Sequence, residues 1–293
     1  MRNNRAFLLY VFSVLFFSIF NMVAVSAQDI MGGSNPIEQY EEEQAAKDLK
    51  KQETSDIREK LIFGNTTYYR PSYATMSKIY WLYDFPDINN NEDIDIFLQI
   101  NECELYRRYY KNELEWLSIR DLMRNHLKEN KDKFPRELFF DMEINFGRYD
   151  TENGVFPVTD DHFVKGLRHF SPFSHSLGWK QDYCHLSKWT EFKAYPRDIL
   201  FVFKRPLIIQ RVPVDKVNAE KIIRQWNSAR GEISRSLFLR VYVSIKKYEG
   251  RKSSAIQHLK DTPVFSSNVD GYEIFTDLTF TDPIYVKNLT RRD

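Results

Sequence analysis

The chain has 293 residues, in which 42 Lys and Arg side chains nearly balance 41 Asp and Glu side chains, for a formal net charge of +1. A balanced charge gives no electrostatic reason to expect a nucleic acid as the partner, so we predict no nucleic-acid binding. The small number of glycines, 10 in all, argues against the glycine-rich phosphate loops of Rossmann and P-loop proteins.

Residues 1–27 have the order of a secretory signal peptide. Arg2 and Arg5 give a positive start, a mostly apolar run follows, and Val25-Ser26-Ala27 places short side chains at the cleavage positions. The apolar run of about 15 residues is shorter than the roughly 20 that cross a bilayer. We therefore expect cleavage after Ala27 and a periplasmic or secreted protein. The alternative is an uncleaved leader, through which alone we would expect contact with a membrane.

The rest of the chain is expected to consist of a tether and a single globular domain. Residues 28–60 are rich in Glu, Lys and Gln and have little to bury, which is typical of a disordered or solvated helical spacer. Residues 61–293 are predicted to form an α+β domain with a helical part over 61–133 and a β-rich part over 134–293. Aromatic residues make up 15% of the chain, and we expect most of them to pack the core.

The helical part is predicted from an apolar pattern between Glu92 and Asn130. Apolar residues recur at spacings of three, four and seven, which favours one long helix, or two in sequence, buried against a sheet. The pattern consists of Leu105, Tyr109, Trp116, Ile119, Met123 and Leu127, and it is widened by Cys103, Tyr106, Tyr110, Leu114 and Leu117.

The β-rich part is predicted to be a mostly antiparallel sheet with one or two packed helices. Met142, Ile144 and Phe146 alternate with polar residues, as in a half-buried strand. Asn153-Gly154 predicts a hairpin turn and Asp270-Gly271 predicts another. Further strands are predicted at Ile199–Phe203, at Leu207–Val212, at Leu237–Ile245 and within residues 272–280.

Two pairs of similar segments suggest a duplicated β-β-α unit. Phe134-Pro135-Arg136-Glu137-Leu138 resembles Tyr195-Pro196-Arg197-Asp198-Ile199, and Phe156-Pro157-Val158-Thr159 resembles Val212-Pro213-Val214-Asp215. In each copy the last residue, Thr159 or Asp215, is predicted to cap a following helix. The alternative is that a proline and a capping residue are common wherever a strand leads into a helix.

Four of the six histidines lie close together in the sequence and are candidate metal ligands: His162, His169, His175 and His185. Neutral imidazole is a common zinc ligand, and three imidazoles with a water would make a hydrolytic site. The spacings match no common ligand pattern, however, and on one helix His162 and His169 would lie about 10 Å apart. Zinc is therefore the ion to test, while no other cofactor and no catalytic residue is predicted. The alternative is that these histidines lie on a polar loop and a helix face.

The two cysteines, Cys103 and Cys184, are candidates for a disulfide, because an exported chain meets an oxidising compartment. The alternative is two separately buried thiols that behave as small apolar groups.

The functional hypothesis is an exported, non-catalytic protein of the bacterial cell envelope or exterior that binds a protein, a glycan or a lipid. The alternative is a secreted metal-dependent hydrolase that uses the segment from His162 to His185, and an enzyme is the less favoured of the two. The sequence indicates neither the ligand nor the oligomeric state.

Overall fold

The computed structural model of the protein describes residues 60–172, 199–228, 235–252 and 262–290, all within the compact unit Thr54–Asp293. Helices and a large mixed sheet both occur, so the predicted α+β class is confirmed. The predicted signal peptide, and the predicted tether apart from Lys60, lie outside the described residues. Among the helices that are described, none has the length and apolar character needed to cross a membrane.

The helices and strands alternate along the chain only in its second half. The described helices are α1 (Tyr73–Leu82), α2 (Asn91–Asn101), α3 (Cys103–Tyr109), α4 (Glu113–Asn130), a 3-10 turn (Lys131–Lys133), α5 (Asp161–Lys165) and α6 (Lys216–Ser228). The described strands are β1 (Lys60–Phe63), β2 (Thr66–Tyr69), β3 (Glu137–Asn145), β4 (Val155–Pro157), β5 (Leu167–Phe170), β6 (Leu200–Leu207), β7 (Arg211–Pro213), β8 (Ser236–Lys252), β9 (Thr262–Phe275) and β10 (Pro283–Asn288).

The described strands form one eight-stranded sheet and one two-stranded sheet. The order in the large sheet is β1-β2-β3-β8-β9-β6-β5, with β10 paired to β9, and the small sheet is β4-β7. Within these sheets β2–β3 and β6–β9 are parallel, while the other pairs are antiparallel. The prediction of a mostly antiparallel sheet is therefore confirmed.

The large sheet curls, so that side chains of distant strands meet on its inner face. Phe140 of β3 lies with its ring centroid 4.8 Å from that of Phe170 in β5 and 5.4 Å from that of Phe201 in β6. In the strand order, however, three strands separate β3 from β5. The curl therefore brings the edge strand β5 next to β3 without pairing the two.

The hairpin β1–β2 lies in the segment that we predicted as helical. Phe63 of β1 stacks on Tyr242 of β8 with ring centroids 4.1 Å apart, and Tyr68 of β2 meets the same ring edge-on at 4.9 Å. These rings, with Phe139 of β3, form a buried cluster separate from the main core. The hairpin is thus fixed by tertiary aromatic contacts rather than by a local sequence pattern.

The predicted helical segment is present, but it is divided into α2, α3 and α4. In α4, Trp116 and Leu127 are buried as predicted. Leu114 and Leu117 are instead 79% and 51% exposed, so the wider part of the predicted apolar face is wrong at these positions. Trp116 meets the ring of Tyr106 in α3 edge-on and donates a hydrogen bond to Asp95 of α2, so the buried face of α4 packs against the neighbouring helices. Leu114 and Leu117, two residues before and one residue after Trp116, lie on other faces of the same helix.

Both similar segments form the predicted strand-strand-helix order, as β3-β4-α5 and as β6-β7-α6. β4 pairs with β7 so that Phe156 lies opposite Val212, and these two residues correspond in the sequence comparison. β5, which follows the first unit, pairs with β6 of the second, and β8, which follows the second unit, pairs with β3 of the first. The strand that follows each unit therefore pairs with the first strand of the other unit. Residues 195–198 of the second segment lie outside the described residues.

Candidate functional site

A cleft of about 830 Å³ lies between β3 and the edge strand β5. Met142, Glu143 and Asn145 of β3 form one wall, and residues 160–163 and 165–170 form the other. We refer to the space between these residues as the β3–β5 cleft. It contains two of the predicted site residues, His162 and His169.

The turn between α5 and β5 shapes the second wall of the cleft. Asp160 caps α5 by accepting a hydrogen bond from the backbone N–H of His162 at 3.2 Å. Gly166 ends the helix with φ of +98°, and a Cβ added there would lie 3.0 Å from the Cβ of Pro206. Because a side chain at this position would be both strained and crowded, glycine is needed for the chain to turn into β5.

This turn separates His162 from His169, which we predicted on one helix. His162 lies on α5, and His169 lies in β5 opposite Val202. Both are exposed and both line the β3–β5 cleft. The one-helix prediction is wrong because α5 ends at Lys165, but the two imidazoles do face the same space.

The remaining predicted site residues cannot be placed in the same way. His175, His185 and Cys184 lie outside the described residues, whereas Cys103 lies at the start of α3. Among the side chains that the structure describes, no group of three or more His, Cys, Asp or Glu is arranged to hold a metal ion. Zinc binding by the four histidines and the disulfide both stay predictions.

The exposed lining of the cleft carries charges of both signs. Lys165 forms an ion pair with Asp161 at 2.6 Å, and the hydrogen bond from this ammonium lowers the pKa of the Asp161 carboxyl. Glu143 and Arg168 are exposed on opposite walls. The cleft therefore offers hydrogen-bond donors and acceptors together, which suits a ligand that carries both.

Strand edges also face the cleft. β3 is paired along its length with β8. On its other side it pairs with β2 at Leu138, and Phe146, the residue after its end, forms a bridge with Val158. Between these two bridges no described strand pairs with the free side of β3, and none pairs with the side of β5 that faces away from β6. Backbone N–H and C=O groups along such edges can accept another strand.

The cleft lies in a part of the chain that matches a known family model. A family model described as a domain of unknown function (DUF4852) matches residues 89–225, which is somewhat less than half of the chain. The matched range runs from α2 into α6 and contains both walls of the β3–β5 cleft. Neither the comparison with curated proteins nor the comparison with solved structures gives a significant match.

Sequence reasoning found the histidines of this site but missed Glu143, Arg168 and the free strand edges. Glu143 occupies a polar position in the alternating pattern of β3, so its exposure could be predicted from the sequence. The approach of Glu143 to β5 could not be predicted from the sequence, because it depends on the curl of the whole sheet.

Proposed function

We propose that this chain is an exported, non-catalytic protein of the bacterial cell envelope or exterior that binds a partner protein, receiving an extended segment of the partner in the β3–β5 cleft. Export is supported by the signal-peptide pattern of residues 1–27. Binding in the cleft is supported by one observation above all, namely that free edges of two strands line the same space. An extended peptide can add to such an edge through main-chain hydrogen bonds.

The lining of the cleft favours a polypeptide over a glycan. Sugar recognition commonly uses exposed aromatic rings as stacking surfaces. The aromatic residues that line the cleft, Phe163 and Phe170, are 4% and 2% exposed, so their rings pack into the core. Main-chain donors and acceptors with charged side chains of both signs fit a peptide better.

A lipid is disfavoured for a related reason. A site for acyl chains needs an accessible apolar lining, whereas the exposed residues here are charged or polar: Glu143, Asn145, Asp161, His162, Lys165, Arg168 and His169. The apolar residues among the cleft walls, such as Met142, are largely buried.

A secreted metal-dependent hydrolase is the second candidate, because His162 and His169 share the cleft. A zinc site would need a third protein ligand. Native mass spectrometry of the protein purified without added metal separates the two functions. If the protein carries one zinc per chain, and each of the single variants His162→Ala and His169→Ala has lost it, the enzymatic function replaces the binding function as the proposal.

The binding proposal is tested by selecting peptides from a random phage-displayed library on protein purified from cells that express the full chain. The Glu143→Lys/Arg168→Glu variant exchanges the charges of the two walls while it keeps the net charge. We expect it to bind the selected peptides at least about tenfold more weakly, because charge pairs across an interface must match. Isothermal titration calorimetry with the selected peptides gives the affinities.

The matched control is Glu220→Lys/Arg224→Glu, which makes the same exchange in an exposed ion pair of α6, outside the cleft. It should bind the selected peptides like the unchanged protein. Failure to enrich any peptide, or equal affinity for all three proteins, would remove the cleft as the binding site.

A further inference from the structure

A second concave site lies where β6 and β9 separate. The two strands run parallel from the pair Leu200–Val264 to the pair Phe203–Ser267. Beyond these pairs β6 continues beside β5, through Leu207, whereas β9 continues beside β8. The divergence leaves a groove of about 620 Å³, which we call the β6–β9 fork.

Three cationic side chains line this fork. Lys204 and Arg205 lie on β6 directly after its last pair with β9, and Lys246 lies on β8. All three are exposed. Lys246 follows Arg205 by 41 residues in the sequence, so the fold, and not a local run of charge, brings it to the other two.

A β-bulge places Lys246 in the fork. In the β8–β9 ladder Ile245 lies opposite Ser267 and Lys247 lies opposite Ser266, so Lys246 is the extra residue between them. A bulge of this kind redirects a side chain and often occurs beside functional sites. The lysine therefore lines the groove instead of alternating across the sheet.

An acid also lines the fork, but its carboxylate is engaged by other groups. Asp270 accepts hydrogen bonds from the Tyr68 hydroxyl at 3.0 Å and from the Ser244 hydroxyl, and it is 6% exposed. Burial, together with this carboxylate, raises the pKa of Tyr68 well above its usual value. The Tyr68 hydroxyl thus keeps its proton and continues to donate to Asp270.

The charge of the fork is positive in a chain that is nearly neutral, because three cationic side chains face the one carboxylate of Asp270. The pKa of the nearby Glu249 carboxyl is lowered first by the hydrogen bond from Lys247, its ion-pair partner at 3.1 Å, and to a smaller extent by the ammonium of Lys204. Arg205 and Lys246 make no ion pair with any residue that the structure describes. Arg205 and Lys246 together outweigh the single negative charge of Asp270, so the concave surface keeps a net positive charge for an anion, where a charge is screened less than on a flat surface.

We infer that the β6–β9 fork binds an oxyanion, namely the phosphate or sulfate group of a small ligand or of a lipid headgroup. A guanidinium presents a planar set of donors that matches the oxygens of such groups, and an ammonium adds a point charge. The Asn268 side chain, which also lines the fork, can donate a further hydrogen bond. This site is distinct from the β3–β5 cleft and does not depend on the function proposed for it.

The test uses inorganic pyrophosphate as the probe and protein purified from cells that express the full chain. Isothermal titration calorimetry should show saturable binding at millimolar concentration or below. Arg205→Gln and Lys246→Gln should each weaken it about tenfold, because a charge-assisted hydrogen bond is lost. Arg205→Lys, which keeps the charge but loses the planar donors, should lie between the unchanged protein and Arg205→Gln.

Lys221→Gln, on the exposed face of α6 and outside the fork, is the matched control and should leave binding unchanged. Circular dichroism spectra should be the same for all variants, because the replaced side chains are exposed. The inference is overturned if pyrophosphate does not bind, or if Lys221→Gln weakens binding as much as Arg205→Gln does.

A vesicle experiment then distinguishes the two sources of the anion. Co-sedimentation with vesicles of phosphatidylglycerol and phosphatidylcholine, but not of phosphatidylcholine alone, and its loss in Arg205→Gln, would identify a headgroup site. Pyrophosphate binding without co-sedimentation would identify a site for a soluble phosphate or sulfate ester. Peptide binding in the β3–β5 cleft is measured separately and should not change in Arg205→Gln, so the two proposals can fail independently.

Discussion

Arg240 is a cation buried on the outer face of the large sheet, where few charges are tolerated. Its guanidinium donates two hydrogen bonds to Asp141, at 2.6 and 3.0 Å, and Arg70 donates a third to the same carboxylate at 3.1 Å. The rings of Phe280 and Phe139 lie 4.4 and 4.9 Å from the guanidinium carbon. Two-point pairing and ring contacts together compensate for the loss of water around the charge.

Asp141→Ala should therefore be strongly destabilising. It leaves the buried Arg240 without its counter-charge, and we expect the free energy of unfolding to fall by about 3 to 5 kcal/mol. Urea unfolding followed by circular dichroism measures this loss. Glu220→Ala, which removes the acid of an exposed ion pair with Arg224, is the control and should change stability by less than about 0.5 kcal/mol. Equal effects of the two substitutions would contradict the role of the buried pair.

At the scale of single elements, the N-cap of α5 was predicted one residue too early. We predicted Thr159 as the cap, but the structure gives this role to the next residue, Asp160. The Thr159 backbone N–H instead bonds the carbonyl of Asn145 at 2.9 Å. This contact extends the pairing next to β3 by one residue and so delays the helix.

Asp160→Ala should destabilise the protein by about 1 kcal/mol, because the first turn of α5 loses its side-chain acceptor. Thr159→Ala should cost clearly less, since its side chain caps nothing. Chemical unfolding of the two variants gives the difference. A larger loss for Thr159→Ala would show that the threonine is the effective cap.

Local patterns predicted several other elements correctly. The predicted alternation is confirmed from Met142 onward, because Met142, Ile144 and Phe146 are buried while Glu143 and Asn145 are exposed; it is wrong at Asp141, which is buried in its ion pair with Arg240. The turn at Asn153-Gly154 is confirmed too: Gly154 has φ of +66°, and its N–H bonds the carbonyl of Asp150 at 2.9 Å. In these places the residue's own conformational preference and the fold agree.

The turn predicted at Asp270-Gly271 is wrong, because both residues lie inside β9. The local preference of Asp-Gly is overridden by tertiary contacts. Tyr68 and Ser244 bind the Asp270 side chain, and a Cβ at Gly271 would lie 2.4 Å from the ring of Phe63. The glycine is thus required for a close approach of the β1–β2 hairpin, which no local signal could reveal.

At the scale of the whole molecule, both proposed sites lie where strands of the curled sheet come close to each other without pairing. The β3–β5 cleft joins residues 142–145 to residues 160–170, and the β6–β9 fork joins Lys204 and Arg205 to Lys246. The sequence shows each of these segments, but it does not show which edges meet. That depends on the strand order and on core contacts such as Phe140 with Phe170, so the α+β class was predictable and the sites were not.

The predicted disulfide would be a further long-range tie in the molecule. Cys103 lies at the start of α3 in the helical part. Cys184 belongs to the chain between β5 and β6, outside the described residues. A bond between them would close a loop of about 80 residues and stabilise the fold by up to about 4 kcal/mol in the chain-entropy model. The disulfide would also agree with the predicted export, because such a bond persists in an oxidising compartment.

Export of the chain and the disulfide between Cys103 and Cys184 can be tested together. The full chain is compared with a variant that lacks residues 1–27, and both are expressed in a bacterial host. The exported protein should have no thiol that an alkylating reagent can reach after denaturation, whereas the variant retained in the cytoplasm should have two. Reduction should lower the urea midpoint of the exported protein and leave that of Cys103→Ser/Cys184→Ser unchanged, because the double variant has no bond to lose. Two reactive thiols in the exported protein would exclude the disulfide while leaving export intact, and retention of the full chain in the cytoplasm would exclude the leader.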